Sequence, residues 1–179
     1  ALQFVSGARR QIFVVFAAFM MVERFGFDVH QVTALLLLNF LVNMLAAPLM
    51  GRAVARWGER NVMGFEYLGL ALVFLAYGGI YWFGWGALLA AGLYVLDHLF
   101  FALSFALKTY FQKIADPGDI APTAAVAFTI NHIAAVVLPV IFGIVWLKNP
   151  SFVFELGAAI ATASLPLAFL VPRHPAPRH

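Results

Sequence analysis

The sequence predicts an all-α integral membrane protein with six transmembrane helices. Of its 179 residues, 64% are hydrophobic and only 11% are charged. A soluble domain carries roughly 25% charged residues because its surface must stay hydrated. So few charges cannot cover a water-facing surface, and most of this surface must therefore face lipid. The apolar runs are long enough for helices and lack the two-residue alternation of a membrane β-barrel.

Composition and motifs exclude several classes of protein. The net charge is +3, but the basic residues stand between apolar runs, which is typical of membrane-flanking charge and not of a nucleic-acid interface. The absence of cysteine excludes disulfides, thiolate catalysis and zinc-thiolate sites. The sequence also contains no P-loop, no H-E-x-x-H and no G-x-S-x-G motif. We therefore predict no enzyme activity, no cofactor and no metal site.

The span count follows from the length of the apolar runs. A helix that crosses the roughly 30 Å hydrocarbon layer needs about 20 apolar residues. On this basis the predicted spans cover approximately 1–22, 31–50, two within 61–109, 122–146 and 151–171. The turn Gly84-Trp85-Gly86 separates the third and fourth spans. Asp116-Pro117-Gly118-Asp119 forms a turn before the fifth, with Pro122 in its first helical turn.

The chain thus divides into a six-helix domain, 1–171, and a polar tail, 172–179. With six spans, most basic residues of the connections fall on the side of the tail: Arg52, Arg56, Arg60, Lys108, Lys113, Arg173 and Arg178. The opposite side holds Arg24 and Lys148. The positive-inside rule therefore predicts a cytoplasmic C-terminus, and we expect a bacterial inner membrane protein.

A local motif stands in the predicted loop between the second and third spans. It reads Gly51-x-x-x-Ala55-Arg56-x-Gly58-Glu59-Arg60. This pattern resembles the G-x-x-x-D-R-x-G-R-R/K loop of the major facilitator superfamily, which has a weaker copy between helices eight and nine. Ala55 replaces the Asp of that motif and Glu59 replaces a basic residue. These departures favour the weaker copy and remove the Asp on which the family's gating salt bridge depends.

The resemblance implies that the chain corresponds to helices seven to twelve, the C-terminal half bundle of such a transporter. The spacing of the spans agrees, as do Pro139 and Gly143, which let the fifth span bend. It also implies a cytoplasmic gating loop: Gly51, Arg52, Arg56, Gly58 and Arg60. The first residue, Ala1, already lies in an apolar stretch, so we expect a fragment whose N-terminal six-helix half is missing.

Polar residues inside the predicted spans are the candidate site. A charged side chain at the bilayer centre costs about 2.5–3.5 kcal/mol, so it should be paired or face water. The candidates for substrate binding or coupling are Arg9, Arg10, Asn39, Asn43, Asp97, His98, Asn131 and His132. All fall on spans that correspond to the cavity-lining helices of the superfamily.

Each candidate also has a structural interpretation. Arg9 and Arg10 could extend to lipid headgroups at the cytoplasmic interface. Asp97 could pair with an arginine and His132 could bond another helix, while Asn39 and Asn43 could hold helices together.

The resemblance implies a secondary active transporter that moves a small solute by alternating access. Proton coupling through Asp97 or a histidine is expected, and arginine in the cavity favours an anionic or carboxylated substrate. The expected partners are the lipid bilayer and the missing half. One alternative is a non-transporting subunit of the same fold that acts in assembly of, or in cofactor or pigment delivery to, a larger membrane complex. Another is a six-helix protein that dimerises.

Overall fold

A computed structural model of the chain describes residue 10 and the ranges 12–114 and 117–170. Within these ranges the chain is helical and contains no strand, so the predicted all-α class is confirmed. The elements are a π-helical segment Ile12–Ala17, α1 Ala18–Phe25, α2 Val29–Phe83, α3 Ala87–Ala102, α4 Phe105–Ile114, α5 Pro117–Lys148 and α6 Pro150–Phe169. The predicted site residue Arg9, the turn residue Asp116 and the polar tail lie outside the described residues.

Four helices in the described part of the chain are long and apolar enough to cross a membrane. They cover Val29–Phe83, Ala87–Tyr110, Gly118–Lys148 and Pro150–Phe169. Their length and composition are those of an integral membrane protein, as the sequence predicts. The predicted second and third spans both fall within the first of these helices.

Helix α2 changes direction at Gly58, where the backbone leaves the helical region (φ 76°, ψ 158°). This conformation is essentially restricted to glycine. The residue divides α2 into a first arm, 29–57, and a second arm, 59–83. The prediction of a loop over 51–60 was wrong: helix continues on both sides of Gly58. Arginine, alanine and glutamate are good helix formers, so one glycine suffices to turn the chain.

Contacts with α3, with the turn before it and with α4 show that the two arms run in opposite directions. On the first arm, Phe40 lies beside His98, and the later residue Val54 packs in one cluster with Ala106. The first arm therefore runs parallel to α3 and α4. On the second arm the order is reversed. Gly69 packs against Phe100, and the later residue Gly79 packs against the earlier Trp85.

The helix ends carry standard capping signals. Asp28 begins α2 with a capping box, in which its Oδ1 accepts from Gln31 N (2.7 Å) and Gln31 Oε1 accepts from Asp28 N (3.0 Å). Gly26 and Gly84 end α1 and α2 in the left-handed conformation, and the predicted turn at Gly84-Trp85-Gly86 is confirmed.

The predicted turn Asp116-Pro117-Gly118-Asp119 was wrong from Pro117 onwards, because the last three of these residues are helical. Helix α4 continues to Ile114, and α5 begins at Pro117. Pro117 thus takes the position in the first helical turn that was predicted for Pro122, which lies inside α5 instead. A proline suits the first turn because an N–H there has no acceptor within the helix, so the absence of the proline N–H costs no hydrogen bond.

The core is built around the second arm of α2. Phe74 and Tyr77 are buried against Phe154 of α6 and the methionines of α1. Gly157 lets α6 approach closely, since a Cβ there would lie 3.2 Å from the Phe74 ring. By contrast, the first arm and α5 expose most of their apolar side chains. These two helices therefore present the surfaces that lipid or further protein must cover.

Candidate functional site

A groove of about 480 Å³ lies between the first arm of α2 and the segment from α3 to α4. Side chains on one face of the first arm form one wall, because residues three, four and seven apart share a helix face. The residues that line the groove are Phe40, Asn43, Ala47, Met50, Gly51, His98, Phe101, Ala102 and Phe105. Most of these residues are apolar, and Asn43 and His98 are the polar exceptions.

Asn43 and His98 lie on opposite walls of this groove. The His98 ring stands edge-on to Phe40, with ring centroids 6.1 Å apart and an interplanar angle of 84°. Asn43 Nδ2 donates to the Asn39 carbonyl oxygen (3.0 Å). A side-chain amide has a second N–H, so Asn43 keeps a donor for a bound molecule.

Arg10 reaches the same groove from the beginning of the described chain. Its Cζ atom lies 5.9 Å from the centroid of the Phe101 ring, which lines the groove. Its charge also lies near enough to His98 for the two groups to interact electrostatically. The structure thus brings together three predicted site residues that are far apart in sequence: Arg10, Asn43 and His98.

Asn39 and Asp97 are buried and do not line the groove. Asn39 is 1% exposed, and its side-chain oxygen and nitrogen have no hydrogen-bond partner among the described residues. Asp97 is 0% exposed and interacts electrostatically with Tyr77 and Tyr94. Asp97 therefore points towards the second arm of α2, although its neighbour His98 faces the groove.

Asn131 and His132 lie on α5, apart from the groove. The exposed His132 ring packs over Phe128, with centroids 3.9 Å apart. Its Nδ1 lies 2.9 Å from the Phe128 carbonyl oxygen. The structure therefore does not bring these two predicted residues to Arg10, Asn43 and His98.

The residues predicted for a gating loop have different environments. Gly51 lines the groove and Gly58 forms the bend. Arg52 and Arg56 are exposed, whereas Arg60 is half-buried with its Cζ 5.3 Å from the Phe169 ring centroid. Only Gly51 of this set therefore belongs to the candidate site.

Sequence reasoning missed the aromatic walls of the groove, Phe40, Phe101 and Phe105. The spacing from Phe40 to Gly51 could have revealed one face of the first arm. The facing residues of α3 and α4 carry no such signal, because phenylalanine is common throughout a lipid-facing helix.

A second polar cluster ties α1 to α5 and to the second arm. Trp146 Nε1 donates to Glu23 Oε2 (2.8 Å), and Arg24 donates to the Ile80 carbonyl oxygen (3.1 Å). The Arg24 guanidinium also lies over Tyr81, with Cζ 4.6 Å from the ring centroid. These contacts give the charged side chains Glu23 and Arg24 hydrogen-bond partners, and they hold the C-terminal end of α5 against α1.

Among the residues that the structure describes, no three His, Asp or Glu side chains form a group that could hold a metal ion. The chain matches no family model, no curated protein and no solved structure.

Proposed function

We propose that this chain is one half of a secondary active transporter and that the groove is part of its solute site. The observation that carries the proposal is the meeting of Arg10, Asn43 and His98 at one groove between apolar helices. A charged side chain inside the membrane costs about 2.5–3.5 kcal/mol and commonly marks a substrate or ion pathway. Three polar groups from separate segments are a more specific signal than any of them alone.

The bend at Gly58 supports six membrane crossings. A straight helix of the 55 residues of α2 would be about 82 Å long, far beyond the roughly 30 Å hydrocarbon layer. Since its arms are antiparallel, we assign one crossing to each arm. Four crossings remain. The first is the segment 10–25, the second is α3 together with α4, the third is α5 and the fourth is α6. This order is that of helices seven to twelve of the major facilitator superfamily, which the loop motif also resembles.

Polar side chains on α5 support a water-filled path or a second half beside this helix. Thr129 and His132 are exposed in the middle of α5. Thr129 Oγ1 donates to the Ala125 carbonyl oxygen (3.0 Å), but the second ring nitrogen of His132 would have no partner in lipid, so we assign this face to the solute pathway between two halves that rock around a midplane site. A histidine ring can accept and release a proton, which makes His98 and His132 the proposed proton carriers. The distribution of basic residues supports an inner membrane protein with a cytoplasmic C-terminus.

The test is solute flux in proteoliposomes that contain the purified protein and an entrapped pH-sensitive dye. A panel of neutral, cationic and carboxylated solutes should include one class that changes the internal pH. His98→Gln should abolish the pH change, whereas the same substitution at the exposed His30, His30→Gln, should leave it intact. Absence of flux for every class, together with isolation at fixed stoichiometry in a larger membrane complex, would favour the non-transporting assembly or delivery subunit instead.

A further inference from the structure

The distribution of polar atoms along the groove is uneven. Among the nine described residues that line it, the polar side chains Asn43 and His98 stand near Phe40, and Arg10 reaches Phe101. The rest of the groove, towards Gly51 and Phe105, is apolar. A ligand that fits both parts must have a polar head and an apolar body.

The charge of the polar end is positive. None of the nine lining residues is acidic, and Asp97 is fully buried, near Tyr77 and Tyr94, about 100° around the helix from His98. The Arg10 guanidinium presents five N–H donors, and Asn43 adds an amide donor. Arginine binds carboxylates with strong, charge-assisted hydrogen bonds. The head of the ligand should therefore be anionic.

The dimensions of the groove limit the body of the ligand. From Phe40 to Gly51 the wall extends about 16 Å at 1.5 Å per residue. The volume of about 480 Å³ lies in the range of about 300–1,000 Å³ that is usual for small-molecule sites. A medium-length acyl chain fills such a groove along its length, whereas a small polar acid leaves the aromatic walls without a partner.

We infer that the groove binds a single-chain amphiphilic carboxylate, with its head at Arg10, Asn43 and His98 and its chain against Phe101 and Phe105. This inference rests on the proposed function, since it names the substrate class of the same site. The occupant is a single-chain carboxylate and not a bilayer phospholipid, because a groove of about 480 Å³ holds one acyl chain, whereas a phospholipid brings two chains and a phosphate.

Binding of radiolabelled dodecanoate to the protein in nanodiscs tests the inference, with empty nanodiscs as background. Unlabelled dodecanoate should displace the label, whereas acetate, dodecanol and dodecylammonium should not at the same concentration. Arg10→Gln should weaken binding by about tenfold or more, as expected for the loss of one charge-assisted hydrogen bond.

A second variant blocks the groove without removing a charge. Ala47 is exposed on the wall, so Ala47→Phe should fill the groove and weaken binding to a similar degree. Two matched controls lie on the same arm outside the groove: Ala34→Phe, at an exposed position about 120° around the helix from Phe40, and Arg56→Gln. Arg56 is rotated about 140° around the helix from Gly51, and both controls should bind dodecanoate with unchanged affinity.

The outcomes separate the substrate class from the transport activity. Equal displacement by dodecanol, or unchanged affinity in both Arg10→Gln and Ala47→Phe, would overturn the inference. Flux of a polar solute without dodecanoate binding would overturn the inferred substrate class but would agree with the proposed transport activity. Dodecanoate binding that responds to both variants, but without flux of any solute, would support the site and contradict the transporter.

Discussion

Replacing Gly58 with alanine should destabilise the protein through the backbone alone. At φ 76° and ψ 158°, a residue with a Cβ costs of order 1–3 kcal/mol. A Cβ built at this position meets no atom within 4 Å, so no clash adds to this cost. Alanine also reduces the conformational entropy of the unfolded chain, which stabilises the folded state by about 0.4–1 kcal/mol. The free energy of unfolding should therefore fall by about 0–2.6 kcal/mol, with a mid-range value of about 1.3 kcal/mol.

Gly92→Ala provides the matched control. Gly92 lies inside α3, and a Cβ there also meets no atom within 4 Å. Because alanine is the better helix former, this variant should gain about 0.5–1 kcal/mol. Both free energies can be measured by titrating the protein from maltoside micelles into SDS and following tryptophan fluorescence. If Gly58→Ala were as stable as Gly92→Ala, the positive φ at the bend, and with it the antiparallel arrangement of the arms, would be refuted.

Two further predictions concern packing and the polar cluster. Gly69→Ala should lower the free energy of unfolding by about 1–3 kcal/mol, because the new Cβ would overlap the Phe100 ring; an unchanged SDS midpoint would show that α3 does not pack there. Trp146→Phe should cost about 1 kcal/mol, since it removes the hydrogen bond to the exposed Glu23 carboxylate. The double variant with Glu23→Ala should then cost little more than either single change; additive losses would show that the two side chains do not interact.

Local signals in the sequence predicted several elements correctly. The all-α class followed from the scarcity of charge, and the turn at Gly84-Trp85-Gly86 from its two glycines. The prediction of a loop over 51–60 was wrong for a physical reason. Charged residues were treated as a break between spans, but they are compatible with helix, and the turn needs only the backbone freedom of Gly58.

For the candidate site, too, the sequence predicted individual residues but not which of them lie close together. Arg10, Asn43 and His98 could be selected from the sequence because each is polar within an apolar run and burial in lipid makes such residues costly. The same criterion selected Asp97, Asn131 and His132, which the structure places elsewhere.

The sequence by itself determined that the chain is helical, apolar enough for a membrane and polar at a few internal positions, because these properties depend on composition and local spacing. Only the tertiary structure decided which polar residues meet. The side of α3 that faces the first arm depends on how closely Gly69 lets Phe100 approach the second arm. That packing turns Asp97 inward and leaves His98 in the groove, and no local pattern distinguishes these two neighbouring residues.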